Sequence, residues 1–144
     1  MFLTFSKKLN IKLFLWGFDK MNAKEGIVLD SEDVESEKVE KGEKIWIKRL
    51  ITDKEGADNC FMRKFTLKPN ASMPHHDHEK TDHVQYVLSG EMEVNLGDKT
   101  KKAKQGDILY IPADLSHSYE NPHDEKVEFL CIVPAGDIKT HIKE

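Results

Sequence analysis

The sequence predicts an all-β chain folded as a jelly roll, or double-stranded β-helix, on three observations. From residue 45 onward, short apolar runs alternate with turn residues. After residue 44 there is no helical periodicity of any length. The runs amount to about eight strands in roughly ninety residues, a density that suits two facing antiparallel sheets.

The first twenty residues, MFLTFSKKLNIKLFLWGFDK, carry a net +3, whereas residues 21–144 carry −7. Lys12 breaks the apolar run, which is too short to span a bilayer, and no small-residue cleavage site follows it. Residues 1–22 are therefore read as an N-terminal extension to a domain over 23–144, with the barrel core at about 45–136. Three readings of the extension stand open. Translation starts at Met21, or the segment is a loosely ordered or partner-packed arm, or Phe2, Phe5, Leu9 and Trp16 insert at a membrane surface.

Residues 30–44, DSEDVESEKVEKGEK, are acidic and read as a solvated stretch, with Val34 and Val39 available to pin it to the barrel. Residues 45–51 form the first strand candidate, and TDKEGAD the turn after it. Residues 60–67 form the next, ended by Lys68-Pro69-Asn70, because proline fixes φ and asparagine tolerates the left-handed region. Residues 84–88 close on Ser89-Gly90. Residues 91–96 alternate, with Met92, Val94 and Leu96 on one face. Gly97-Asp98 turns the chain into residues 99–104 as a hairpin. Gly106-Asp107 leads into residues 108–111, which Pro112 stops, and residues 117–120 and 127–133 complete the set.

A chain of 144 residues bounds one domain with a sufficient core. Its 38% apolar and 33% charged residues are ordinary for a soluble globular protein. Net charge is −4 with basic residues spread along the chain, so no nucleic-acid partner is expected. No membrane partner is expected either. Cys60 and Cys131 are too few for a disulfide framework and read as two reduced, buried thiols in a cytoplasmic protein.

Four of the seven histidines carry the chemistry. His76 and His78 are one residue apart, so strand alternation turns both imidazoles to one face. His83 precedes the apolar run VQYVLSG, and His117 follows a proline turn. An adjacent pair plus two distant ligands is how a barrel closes a metal site from separate strands. Asp82 is the alternative to His83 if the register slips by one. His75 reads as a rim residue, and His123 and His141 fall outside the set.

These spacings resemble the two motifs of the cupin superfamily. The first motif runs glycine, five residues, His-x-His, three or four residues, glutamate, six residues, glycine. Here it reads Asn70, five residues, His76-Asp77-His78, four residues, His83, six residues, Gly90. The second runs glycine, five residues, Pro-x-Gly, two residues, His, three residues, Asn. Here it reads Gly106, five residues, Pro112-Ala113-Asp114, two residues, His117, three residues, Asn121. Asn70 and Asp114 stand where the family has glycine, and both residue types tolerate φ > 0. His83 stands where the family usually has glutamate, which is similar to a subgroup of small one-domain cupins with four-histidine sites for manganese or iron.

The resemblance implies one divalent transition metal held by His76, His78, His83 and His117. Mn or Fe is favoured, while Ni, Co, Cu and Zn also suit imidazole. Four protein ligands in an octahedron leave two positions open. With no carboxylate ligand the dication keeps its charge, which favours an anionic small-molecule substrate. Strand parity puts Gln85 and Val87 on the face of His83, Tyr119 with His117, and Phe129, Cys131 and Val133 together. Arg63, or its neighbours Met62 and Lys64, faces inward from the second strand. The resemblance implies substrate contact for Phe129 and Cys131. It further implies O2-dependent oxidative cleavage as the leading activity. Non-redox isomerisation or decarboxylation, or plain ligand binding, are the rivals. A homodimer is expected, with residues 27–29 or 45–51 as the exchanged edge. Metal affinity is expected to fall as pH drops through about 6.5, where free histidine protonates.

Overall fold

The structure is a computed structural model that describes residues 25–143; the expectations for residues 1–22 lie outside the described residues. Ten strands follow in order. They are β1 (Ser36–Lys38), β2 (Glu43–Ile51), β3 (Cys60–His78), β4 (His83–Ser89) and β5 (Glu91–Leu96), then β6 (Lys99–Lys104), β7 (Ile108–Ile111), β8 (His117–Glu120), β9 (Val127–Pro134) and β10 (Thr140–Ile142). The expected strands all form, and the architecture is the antiparallel double-stranded β-helix, a nearly closed barrel.

β3 belongs to both walls. Its first part, Cys60 to Leu67, pairs with β2 and β9, and its later part, from Ser72, pairs with β8 and β10. The sequence reading ended this strand at Lys68-Pro69-Asn70. That reading is corrected: the segment is a corner within one long strand. Asn70 takes φ +64 there, and its N–H bonds the Asn121 carbonyl at 2.9 Å, so the bend is absorbed without losing the pairing. Asp114 likewise sits at φ +65, so both residues that replace glycines of the motifs adopt the left-handed backbone. The TDKEGAD turn holds a short 3-10 turn over Asp53–Glu55, closed by a Thr52/Glu55 capping box and by Gly56 at φ +89.

Two strands escaped the sequence reading. β1 lies inside the acidic stretch read as merely solvated. Its side chains are exposed, but its backbone pairs with β2, Glu37 meets Arg49, and Val39 packs on the core. Val34 is half-buried. Consequently β2 pairs with β3 along its length and with β1 over Trp46–Lys48, so within residues 45–51 that stretch is not a free edge. β10 pairs with the end of β3.

The core lies between the walls. Alternation buries Met92 and Val94 on β5, Val87 on β4, and Val127, Phe129, Cys131 and Val133 on β9. Each such aliphatic or aromatic side chain contributes about 1.5–3 kcal/mol by leaving water. Both cysteines are free, but only Cys131 is buried; Cys60, at the start of β3, is exposed, which corrects the expectation of two buried thiols. No helix among the described residues is long and apolar enough to cross a membrane.

Candidate metal centre

The last turn of β3 sends His76 and His78 into the barrel, with His75 exposed on the other side. Across the β3/β8 ladder His76 pairs directly with His117, and the two rings sit 4.2 Å apart. His83 opens β4, and its ring stacks on His78 at 4.6 Å. His117 lies 5.4 Å from both His78 and His83. One nitrogen each from His76, His78 and His117 lies within 4.8 Å of the others. Metal–nitrogen bonds of 2.0–2.1 Å put two such atoms about 3–4 Å apart, so the three fit around one ion with little movement. His83 stands one ring further, adjoining that triad.

The outer nitrogens explain how the rings are aimed. His76 Nδ1 donates to the Pro74 carbonyl at 2.8 Å, and His117 Nδ1 to the Leu115 carbonyl at 2.8 Å. A carbonyl only accepts, so both rings carry their proton on Nδ1 and keep a lone pair on Nε2. His78 Nδ1 meets Thr140 Oγ1 at 3.1 Å, and His83 Nδ1 meets Cys131 Sγ at 3.7 Å. All four rings are thus held by one nitrogen. The Nε2 atoms of His83 and His117 are buried with no hydrogen-bond partner among the described residues. For His117, whose proton sits on Nδ1, this is an unpaired buried acceptor, which costs about 1–3 kcal/mol, a cost a cation would relieve.

Burial also keeps the imidazoles neutral. It lowers His78 to about 4, aided by the neighbouring His76 and His117, and lowers His117 to about 4 against the raising effect of the Leu115 hydrogen bond. It lowers His83 further, to about 2, aided by Arg63, and lowers His76 as well. Neutral imidazole is the form that ligates.

His76, His78 and His83 floor a cavity of about 420 Å³ walled by Arg63, Phe65, Met73, Gln85, Tyr119 and Phe129. Its rim is made by residues 37–41 and by Thr140 and Ile142. Phe65 stacks on Phe129 at 5.2 Å. Arg63 lies over Phe65, and its Nη2 bonds Cys131 Sγ at 3.2 Å. The Gln85 amide donates to the Tyr119 hydroxyl at 2.7 Å and lies 3.5 Å from Cys131 Sγ. Burial raises the Tyr119 phenol, which stays protonated. Arg63 Nε and Gln85 Oε1 are buried without partners, and Arg63 makes no ion pair among the described residues.

Most residues picked from the sequence for the pocket therefore meet at this cavity. Arg63, Gln85, Tyr119 and Phe129 line it, whereas Cys131 sits behind the wall, linking Arg63, Gln85 and His83. Lys64, considered beside Arg63, points outward to Glu128 at 2.9 Å. Asp82 points away from the histidines and accepts from the Tyr110 hydroxyl at 3.3 Å. His123 faces Glu91 at 3.4 Å, and His141 faces Asp77 at 3.2 Å. Phe65 and Met73 were missed; Phe65 shares parity with Arg63, so alternation alone could have found it. Thr140 and the β1 rim carry no such signal.

Comparison with known proteins agrees with the barrel fold. Residues 63–133 match the family described as Cupin domain. The oxalate-binding protein of Thermotoga maritima is 29% identical over 115 residues, covering 75% of this chain and 93% of that protein. The polyketide synthase CurC of Streptomyces cyaneus is 27% identical over 113 residues, covering 78% of this chain and 70% of that protein. The solved structure of the polyketide cyclase RemF from Streptomyces resistomycificus superimposes with a TM-score of 0.75 at 27% identity, over 81% of this chain and 84% of that one.

Proposed function

We propose, from the premise that this chain belongs to the cupin superfamily, that it is a metal-dependent protein acting on a small oxyanion. One divalent transition metal would be held by Nε2 of His76, His78, His83 and His117. The observation that carries this reading is the aim of the imidazoles. Each is fixed through Nδ1, and two present buried, partnerless Nε2 atoms. A bound dication would supply Lewis-acid polarisation of a substrate oxygen.

The residues around it suggest how a substrate is chosen. Arg63 has an unsatisfied guanidinium edge and no carboxylate partner, so it suits a carboxylate or enolate oxygen. Gln85 and Tyr119 offer hydrogen bonds, and Phe65, Phe129 and Met73 offer an apolar surface for the substrate's body. From sequence, oxidative cleavage with O2 leads. Similarity to a polyketide cyclase and to an oxalate-binding protein moves the non-redox branch (cyclisation, isomerisation or decarboxylation) ahead of it. A homodimer fits the outer face of β4, β7 and β9, where Val84, Tyr86, Ile108, Tyr110 and Ile132 are exposed side by side.

Elemental analysis of the purified protein, together with O2 uptake in the presence of small carboxylates, tests the reading. Stoichiometric Zn, Ni, Co or Mn without O2 consumption supports the non-redox branch, and Fe with O2 consumption restores oxidative cleavage. A protein that binds none of these ions at micromolar concentration overturns the metal reading. Arg63→Gln is expected to weaken carboxylate binding to the metal-loaded protein about tenfold, with the metal content unchanged.

A further inference from the structure

β10 lies beyond residues 63–133, the segment matched to the Cupin domain, and its three residues are all exposed, so core packing does not explain its place. Yet it docks on the part of β3 that bears two of the histidines, in the register Thr140–His78, His141–Asp77 and Ile142–His76.

Five contacts fix it there. Thr140 Oγ1 lies 3.1 Å from His78 Nδ1, and the Lys139 backbone also bonds that ring. His141 Nδ1 meets Asp77 at 3.2 Å, and Lys143 Nζ meets its other oxygen at 2.6 Å. The Lys143 N–H continues the ladder to the His75 carbonyl at 2.8 Å. Asp77 is 8% exposed and stands on the strand face opposite His76 and His78. The strand therefore grips the ligand-bearing end of β3 from behind while one of its side chains reaches His78 from the front. His76 and His117 need no such help, because carbonyls two residues earlier, at Pro74 and Leu115, hold them. No carbonyl two residues earlier in β3 holds His78; its partners come from Thr140 of β10 and from the Lys139 backbone that leads into it.

We infer that β10 is a clasp that positions the metal site, with Thr140 the positioning residue that sets the ring orientation of His78. Outer partners of ligating histidines typically affect metal affinity 10–100-fold. The inference rests on the metal reading for its affinity arm and on the ring geometry alone for its second arm.

The test titrates Co(II) into metal-free full-length protein and records the ring nitrogens of His78 by NMR without metal. Thr140→Val is expected to weaken Co(II) binding about tenfold, to change its visible absorption spectrum, and to shift the tautomer populations of His78. Thr140→Ser is expected to restore all three, and none of these changes should accompany a shift in the metal-free melting temperature. The His141→Gln/Lys143→Gln double variant, which leaves Thr140 but removes both contacts to Asp77, should weaken Co(II) binding likewise. Wild-type affinity, spectrum and tautomer in both variants would overturn the clasp. A wild-type protein that binds no Co(II) yet shows His78 tautomer populations that shift in Thr140→Val would keep the clasp and remove the metal reading.

Discussion

Lowering the pH of the metal-free protein is expected to unfold it through its own site. His78 and His117 are 7% and 1% exposed, and burial lowers both to about 4. In the unfolded chain they titrate near 6.5. Between these values the unfolded chain binds protons that the folded protein refuses, so stability is complete above about pH 6.5 and is lost as pH falls toward about 4. Below that it levels off for these two groups. Each histidine contributes on the order of 3 kcal/mol across the window, at a slope of about 1.4 kcal/mol per pH unit. His78 and His117 together give about 3 kcal/mol per pH unit, and His76 and His83, lowered by the same burial, steepen it. Set against a typical stability of about 5–15 kcal/mol, acid unfolding should begin near pH 5. Urea unfolding of chelator-treated protein between pH 7.5 and 4.5, followed by tryptophan fluorescence, measures the slope. His78→Gln/His117→Gln should flatten it by about half. A urea midpoint that stays constant down to pH 4.5 refutes the reasoning.

Further outcomes follow from single substitutions. His76→Ala and His117→Ala should each lose stoichiometric metal after dialysis, measured by elemental analysis; full retention in either removes that residue from the site. Asn121→Ala should destabilise the barrel by about 3 kcal/mol or more in urea. The Asn121 side chain is 1% exposed, donates to the Leu67, Lys68 and Glu125 carbonyls at 2.8–3.1 Å, and accepts from the His123 N–H. A change under about 1 kcal/mol would show that water replaces these bonds. Gly90→Ala should destabilise by about 2 kcal/mol or more. A Cβ there would lie 2.5 Å from the Lys126 carbonyl, at a φ of +79. A melting temperature within 2 °C of wild type would contradict this, since about 1 kcal/mol moves the midpoint by several degrees.

The sequence by itself determined the barrel and the histidines that meet in it. Alternation on β5 and β9 is a period-two signal that survives any change in tertiary detail, because one face must leave water. The spacing of His76, His78 and His117 works the same way, since parity sets the face and pairing sets the neighbour. Only the tertiary structure decided where partners come from when they are distant in the chain. Thr140 reaches His78 across 62 residues, Cys131 reaches His83 across 48, and β1 forms on β2 from a stretch with no apolar alternation. Hydrogen bonds between backbones, and between a ring and a hydroxyl or thiol, leave no periodic trace in composition. They exist because the barrel brings the two edges within three to four ångströms, and nothing local in either segment requires it.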